Sequence, residues 1–532
     1  MSEDRIAVLI CSWGAGEPGA FDLEPLRSFA ASMDGVLTAQ LIERMCSEKG
    51  QKDAVKGLRE SGADRFVVAA CSPKTKSWLH RSIATAAGLH PLAFEVANIR
   101  EGAAYVHARD VGQRKSEFII RMAVEKVRLW SEPPFEEEMP ACRSVAVVGE
   151  GLTAALAARD LAAQGLETDI IVPGPGFASP SSYIFINRAQ RESALKVMRE
   201  VALHPLVRTH LHTKVRSCEG RPGDFELILE AEEGPRALEC GAVVLAPEPC
   251  NELRGLDGSL APEAEDLISL GMRRIVILPG GPSSGTGCSC MTPRGLLYAL
   301  EAASMTPGIE IRLLGRELRA LGSMEEVQHG AQRRGVRFHR IEAEPSVRGQ
   351  GPYTVEFHDP LVGACSVPAD LVLVDSVTVP RAGELASVFR LPLDEKGELM
   401  SIESRLRPGE TVRRGIYVCR YRVGNMIYED VALEAGAAAS RASELLLRGA
   451  MEIGGTVAEV EAEKCSVCLG CVRLCPYSAA RIGEAGKAVI DVELCQGCGS
   501  CVSLCPSKAI DIYQYGEAQI IAQERAALGR SR

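Results

Sequence analysis

Short runs of apolar residues separated by helical patterns dominate the first quarter of the chain. Ile6-Ala7-Val8-Leu9-Ile10 and Arg65–Ala70 are typical of buried strands, and each run ends at a cysteine, Cys11 or Cys71. Amphipathic patterns, including Ser116–Leu129, fill the intervals. This alternation predicts a small N-terminal α/β domain over residues 1–130, and the stretch after it, rich in Pro and Glu, predicts a linker.

Two further segments follow the order strand, glycine turn, helix and strand that is typical of dinucleotide-binding units. The first comprises Ser144–Val148, Gly149–Gly151, Leu152–Gln164 and Thr168–Val172. The second, at about residues 272–345, comprises Arg274–Leu278, Gly280-Gly281, Pro293–Ala303 and Glu310–Leu314. Because the second segment interrupts the first, residues 141–450 are predicted to form a two-dinucleotide-domain flavoprotein fold.

The segment 464–512 contains two cysteine runs with the same spacing. They are Cys465, Cys468, Cys471 and Cys475-Pro476, and then Cys495, Cys498, Cys501 and Cys505-Pro506. The second run repeats the first at an offset of 30 residues, which predicts a domain with two similar halves. This C-x2-C-x2-C-x3-C-P spacing is typical of a bacterial-type α+β ferredoxin with two [4Fe–4S] clusters. The tail 513–532 is predicted to contain a helix, Glu517–Leu528.

In such a domain the fourth cysteine of each run binds the cluster of the other run. Cluster 1 is therefore expected on Cys465, Cys468, Cys471 and Cys505, and cluster 2 on Cys495, Cys498, Cys501 and Cys475. Gly497 and Gly499 are expected to let backbone N–H groups approach the sulfurs. A pair of structural zinc sites is the alternative, but zinc favours one tetrahedral set per ion over this doubled arrangement.

Composition narrows the class of protein. The 532 residues suggest three or four domains, and the mixture of 46% hydrophobic and 24% charged residues is that of a globular protein. A net charge of -10 argues against nucleic acid as a partner, and no apolar run is long enough for a transmembrane segment. With no signal peptide pattern and 19 cysteines in part at ligand spacing, we expect a cytoplasmic, reducing location.

Three stretches resemble the family formed by the A subunits of heterodisulfide reductases (the HdrA-like family). They are Ala69–Lys74, Glu95–Glu101 and the passage from Leu391-Pro392-Leu393-Asp394 to Pro408. The order of the domains also fits. The resemblance implies an N-terminal α/β domain, a thioredoxin-reductase-like flavoprotein domain and a ferredoxin. It further implies other redox subunits as partners in an anaerobic complex, together with FAD and several [4Fe–4S] clusters.

The flavin pattern departs from that family. Gly149, Gly151 and Ala154 would hold FAD, but Glu150 places an anion in the turn and Pro173 follows the next strand where an acidic residue is usual. Ala246-Pro247-Glu248 replaces a glycine turn, and Arg420 replaces a second glycine. Two alternatives stay open: an altered or lost flavin pocket, or a pocket in which Arg420 and Arg422 bind phosphate. Gly280–Gly285 does not match a nicotinamide-dinucleotide fingerprint.

The resemblance also implies a third [4Fe–4S] cluster. Its ligands would be Cys46, Cys71, Cys288 and Cys290, with Cys11 as a substitute. The alternative is that these cysteines are small buried hydrophobic residues.

These patterns predict an iron–sulfur electron-transfer subunit of an HdrA-like oxidoreductase complex. One alternative is an FAD-containing subunit that bifurcates electron pairs, and another is a scaffold or docking subunit with a vestigial flavin domain. No catalytic side chain is predicted, because no Ser-His-Asp or paired-carboxylate pattern occurs.

Overall fold

A computed structural model describes residues 4–15, 22–132, 136–177, 188–247, 250–280, 293–317, 320, 322–378, 382–395, 397–402, 407–420, 427–454 and 456–529. The chain divides into two compact units. The first unit combines Met1–Glu138 with Glu452–Arg532, and the second is Met139–Met451.

The N-terminal part of the first unit is a parallel four-stranded sheet in the order β2-β1-β3-β4. Helices cover both faces, so the central strands are apolar on both sides, as the runs Ile6–Ile10 and Arg65–Ala70 predict. A π-helix (Arg100–Ala104) precedes the last helix. The elements are β1 (Ile6–Cys11), α1 (Leu23–Ala31), β2 (Val36–Ile42), α2 (Glu48–Ser61), β3 (Arg65–Ala70), α3 (Pro73–Ala87), β4 (Phe94–Asn98) and α4 (Arg109–Arg128).

In the second unit, the first sheet is parallel and has the order β21-β12-β6-β7-β8. Alanines dominate α5 because it is packed between the sheet and α10, and small side chains permit this close approach. A three-stranded antiparallel sheet, β11-β10-β9, packs on the opposite face. Strand β5 (Glu136–Pro140) contains the point at which the chain passes from the first unit to the second. The other elements are β6 (Ser144–Val148), α5 (Leu152–Ala163), β7 (Glu167–Ile171), α6 (Arg188–Ala202), β8 (Val207–His210), β9 (Lys214–Arg221), β10 (Asp224–Ala231), β11 (Gly234–Cys240), β12 (Ala242–Leu245), α9 (Ala382–Phe389), β21 (Ile416–Val418) and α10 (Tyr428–Leu446).

The second sheet of this unit has the order β13-β20-β14-β15-β16 and carries α7 and α8. It extends from Cys250 to Thr378 and is therefore wider than the predicted range 272–345, because β13 pairs antiparallel with β20 and joins the sheet from outside that range. The elements are β13 (Cys250–Gly255), β14 (Arg274–Pro279), α7 (Pro293–Met305), β15 (Glu310–Gly315), α8 (Met324–Arg333), β16 (Arg337–Arg340), β17 (Ser346–Arg348), β18 (Tyr353–Asp359), β19 (Gly363–Ala369) and β20 (Leu371–Thr378).

The ferredoxin part belongs to the first unit. It consists of two similar halves, and β23 pairs with β26 as β24 pairs with β25. The last helix, α13, packs along α4 of the N-terminal part, and Gln514 Nε2 donates a hydrogen bond to Leu92 O at 2.8 Å. Strand β22 (Ala450–Gly454) contains the point at which the chain returns to the first unit. The other elements are β23 (Ala458–Val460), α11 (Gly470–Leu474), β24 (Ala480–Ile482), β25 (Ala488–Ile490), α12 (Ser500–Leu504), β26 (Ile510–Ile512) and α13 (Glu517–Ala527).

Together these sheets confirm the predicted fold class: a small α/β domain, a two-dinucleotide-domain body and an α+β ferredoxin.

Candidate iron–sulfur centre

Four cysteines from both runs line one cavity in the ferredoxin part. Cys495, Cys498 and Cys501 of the second run line a small cavity together with Cys475 of the first run. Tyr477 and Ala458 complete the wall. This crossed set is the one that the spacing assigns to cluster 2, so the donor types that line the cavity fit a [4Fe–4S] cluster.

The other crossed set is also adjacent. Cys505 and Cys465 are close enough for the charge of one thiolate to raise the pKa of the other, and Cys468 and Cys465 act on Cys471 in the same way. Helices α11 and α12 pack together, and this packing brings Cys505, at the end of α12, to the first run. This arrangement fits the expected ligand set of cluster 1.

Backbone N–H groups point at the cysteine sulfurs in both halves. Ala458 N lies 3.4 Å from Cys495 Sγ, Ala479 N lies 3.3 Å from Cys475 Sγ, and Ala509 N lies 3.2 Å from Cys505 Sγ. Such donors stabilise negative charge on sulfur, and in iron–sulfur proteins they tune the reduction potential. The structure thus places N–H donors beside cysteines that are expected to bind the clusters.

Hydrogen bonding and burial shift the pKa values of individual cysteine thiols in opposite directions. Hydrogen bonds from the backbone of Ala488 and Val467 lower the pKa of the Cys465 thiol. Burial, and then the neighbouring Cys495 and Cys498, raise the pKa of the Cys501 thiol to about 11. Burial also raises the pKa of the Cys471 thiol at the first site, so buried thiols with a raised pKa occur at both sites.

Gly497 and Gly499 both adopt a left-handed backbone, but an added Cβ would be blocked only at Gly497. Gly497 has φ = 62°, and a Cβ there would lie 2.2 Å from the carbonyl oxygen of Thr456. Gly499 has φ = 78°, but its added Cβ would meet only Ile512 Cδ1 at 3.8 Å. The matching position in the first half is Leu469, which adopts φ = 63° with a full side chain. The expectation that the N–H groups of Gly497 and Gly499 approach the sulfurs stays a prediction.

Three of the cysteines considered for a third cluster lie at one edge of the N-terminal sheet. Cys11 ends β1 and Cys71 follows β3, its neighbour, while Cys46 lies in the turn after β2. Cys11 Sγ accepts a hydrogen bond from Met45 N at 3.4 Å, so Cys11 is close to Cys46 in space. Cys11 is buried, Cys71 is half-buried and Cys46 is exposed.

The other two proposed ligands, Cys288 and Cys290, lie outside the described residues, as does Arg422. Within the part of the chain that the structure describes, no three His, Cys, Asp or Glu side chains group closely enough to hold a single metal ion. The third cluster thus stays a prediction.

The edge where a flavin would bind retains Gly149, Gly151 at the N-terminus of α5 and Ala154 buried within α5, but it departs from the pattern elsewhere. A Cβ on Gly149 would lie 2.3 Å from Ala246 O, so this turn packs tightly against the end of β12. The carboxylate of Glu150 reaches toward Gly174, beyond the end of β7, with 3.5 Å between Oε2 and the position of an added Cβ. The segment that follows β7 begins with Val172, Pro173 and Gly174 and so has no acidic side chain at this point.

Among the described residues at this edge, Arg420 suits an anion. It follows β21, and its Nε is buried without a hydrogen-bond partner among the described residues. The residues at this edge therefore fit a flavin only in part, and we assign no chemical step to a flavin.

Two polar residues with specific contacts, Asp169 and Lys487, were not predicted from the sequence. Asp169 of β7 is buried and accepts hydrogen bonds from Arg208 Nη2 at 3.0 Å and pairs with His210 Nε2 at 2.6 Å. Lys487 reaches back to the first cysteine run (Nζ to Cys465 O, 2.7 Å). Aligning the two halves of the repeat would have identified Lys487, because the matching residue is Val457.

Comparison with known proteins agrees with this geometry. A family model described as a 4Fe-4S dicluster domain matches residues 458–506. The A subunit of the H(2):CoB-CoM heterodisulfide,ferredoxin reductase of Methanothermobacter thermautotrophicus is 26% identical over 91% of this chain and 91% of its own length. The chain is thus similar, over most of its length, to heterodisulfide reductase A subunits. The resemblance predicted from the sequence is thereby confirmed.

Other HdrA-like relatives show the same extent of similarity. The iron–sulfur A subunit of the CoB–CoM heterodisulfide reductase of Methanocaldococcus jannaschii is 25% identical over 89% of this chain and 90% of its own length. A protein of Archaeoglobus profundus that is named for its likeness to the heterodisulfide reductase A subunit is 25% identical over 90% of this chain and 91% of its own length.

Among solved structures, T. acidophilum thioredoxin reductase covers 57% of the chain and 97% of its own length, at 15% identity and a TM-score of 0.38. No helix of the described residues is long and apolar enough to cross a membrane.

Proposed function

We propose that this chain is an iron–sulfur electron-transfer subunit of a multi-subunit oxidoreductase complex. The observation that carries the proposal is the crossed set of cysteines: Cys475 lines the same cavity as Cys495, Cys498 and Cys501. A [4Fe–4S] cluster accepts and releases one electron at a time, and two crossed sites provide a relay for single electrons.

The packing between the two sites supports a relay. An added Cβ on Gly470 of α11 would lie 3.2 Å from Leu504 Cδ2 of α12. The helices that carry the crossed ligands are therefore in direct contact. Cys468 and Cys498 are exposed, one at each site, which would give each cluster an edge open to a redox partner.

The partners are inferred from the relatives, whose names describe them as subunits of heterodisulfide reductases. We expect this chain to assemble with other redox subunits, in the cytoplasm. No nucleic acid is expected to bind.

A flavin-containing, electron-bifurcating subunit is the second candidate. The buried Nε of Arg420, which has no hydrogen-bond partner among the described residues, favours it, because a phosphate group would satisfy this donor. Glu150 and Pro173 favour an altered pocket instead, in which the flavin-like body serves as a scaffold or docking surface. The flavin content of the purified protein separates these candidates.

Crossed ligation can be tested with four serine variants purified without oxygen. Cys498→Ser should perturb the electron paramagnetic resonance (EPR) signal of cluster 2, and Cys468→Ser that of cluster 1. Cys475→Ser should reproduce the effect of Cys498→Ser, although Cys475 belongs to the first run. Cys142→Ser is the matched control, because Cys142 is exposed and has no ligand spacing.

A Cys475→Ser spectrum that matches Cys468→Ser would contradict the crossed assignment. Iron content and EPR signals that are unchanged in Cys468→Ser, Cys475→Ser and Cys498→Ser would contradict the proposed function as a whole.

A further inference from the structure

The repeat allows each residue near one cluster site to be compared with its counterpart at the other. Strands β23 and β25 match at the offset of 30 residues, and each begins beside the first cysteine of a run. Ala458 N–H points at Cys495, and Ala488 N–H bonds to Cys465. The residues just before these alanines, Val457 and Lys487, therefore occupy equivalent places.

These two residues are chemically unlike. Val457 is apolar and 3% exposed. Lys487 is half-buried, and its Nζ donates a hydrogen bond to the carbonyl oxygen of Cys465 at 2.7 Å. An ammonium group thus lies against the backbone of a cluster 1 ligand, where the cluster 2 site has hydrocarbon.

Other lysines of the domain lie in a different setting. Lys464 pairs with Glu461 at 2.6 Å, and the side chains of both residues are 56% exposed. Lys508 pairs with Glu517 at 3.1 Å, also at the surface. A carboxylate and solvent offset the field of each of these lysines. Lys487 forms no ion pair with any of the described residues, so no carboxylate in direct contact offsets its charge.

We propose that Lys487 makes cluster 1 the stronger electron acceptor of the two. The inference rests on the proposed function, because it requires both clusters. Reduction adds one negative charge to a cluster, and an adjacent cation stabilises the reduced form. In the transfer, cluster 2 loses one electron and cluster 1 gains it, with no bond formed and no proton moved. At equilibrium, an electron that enters the ferredoxin thus resides mainly on cluster 1, next to Lys487.

The test is a potentiometric titration of the full chain with both clusters, followed by EPR without oxygen. Lys487→Gln should shift the equilibrium between the clusters about tenfold toward cluster 2, which is a fall of about 59 mV in the midpoint of cluster 1 for a one-electron couple. Lys487→Arg retains the charge and should stay close to the unsubstituted protein. Lys464→Gln, which removes a paired and exposed charge one residue from Cys465, should change the midpoint of cluster 1 much less.

Equal midpoints in Lys487→Gln and the unsubstituted protein, with iron content unchanged, would overturn this inference alone. So would a shift of both clusters by the same amount, or a shift in Lys464→Gln as large as that in Lys487→Gln. A failure of the proposed function is distinguishable, because the unsubstituted protein would then contain no ferredoxin iron.

Discussion

Gly497→Ala is expected to weaken the cluster 2 site selectively. A Cβ at this position would lie 2.2 Å from Thr456 O, whereas real Cβ atoms stay at least about 3.0 Å from a neighbour, so the two backbones must separate by roughly 1 Å. Thr456 lies two residues before Ala458, whose N–H points at Cys495 Sγ at 3.4 Å. The displacement should therefore lengthen a hydrogen bond that stabilises a ligand of cluster 2.

The magnitude has two parts. A left-handed backbone at φ = 62° costs an alanine about 1–2 kcal/mol, and overpacking of a tight contact costs about 1–3 kcal/mol. Gly486→Ala separates the two parts. Gly486 has φ = 69°, but nothing lies within 4 Å of its added Cβ, so this variant meets only the backbone cost. The free energy difference between the variants should therefore be about 1–3 kcal/mol.

The assay is the denaturant concentration at which the visible absorbance of the clusters is lost, measured without oxygen. Gly497→Ala should lose its clusters at a clearly lower concentration than Gly486→Ala, and the EPR signal of cluster 2 should change first. The same transition in both variants, with unchanged EPR signals, would refute the reasoning from close approach.

Three further predictions concern the rest of the chain. Burial would raise the pKa of Asp169, but hydrogen bonds from His210 and Arg208 lower it overall. Asp169→Asn should therefore cost about 1.5–3 kcal/mol of unfolding free energy at neutral pH. Thermal unfolding measured as a function of pH should show that this loss disappears only in acid, below the ordinary aspartate pKa of about 3.9. Gly149→Ala should destabilise the flavin-like body, because its Cβ would lie 2.3 Å from Ala246 O, and a melting temperature equal to that of the unsubstituted chain would contradict this. Cys71→Ala should lower the iron content by about four atoms per chain if a third cluster exists, and an unchanged iron content would exclude Cys71 as a ligand.

Hydrophobic periodicity and cysteine spacing predicted most of the features that nearby residues determine, such as strands, helices and ligand sets. The run Ser144–Val148 is β6 as predicted, and the predicted helix Leu152–Gln164 differs from α5 by one residue. Cysteine spacing also indicated which residues share a cavity, because ligand chemistry imposes that spacing on the chain.

Such patterns could not predict contacts between residues that are far apart in the sequence. Lys126 Nζ lies 3.9 Å from the centre of the Tyr515 ring, and Tyr513 OH donates a hydrogen bond to Ser131 O. These contacts join the ferredoxin part to the N-terminal part, although more than 300 residues separate them in sequence. Neither periodicity nor propensity reports on a pairing of this kind, and the same holds for Lys487 and its carbonyl partner 22 residues away.

The most direct test of the account is the content of iron, acid-labile sulfide and flavin in the chain purified without oxygen. The two crossed sites predict about eight iron and about eight sulfide per chain, since each cubane contributes four of each. About twelve iron would add the third cluster, and one FAD per chain would favour the flavin-containing candidate. Iron near zero, or zinc in its place, would contradict the central claim that this chain carries electrons through two [4Fe–4S] clusters.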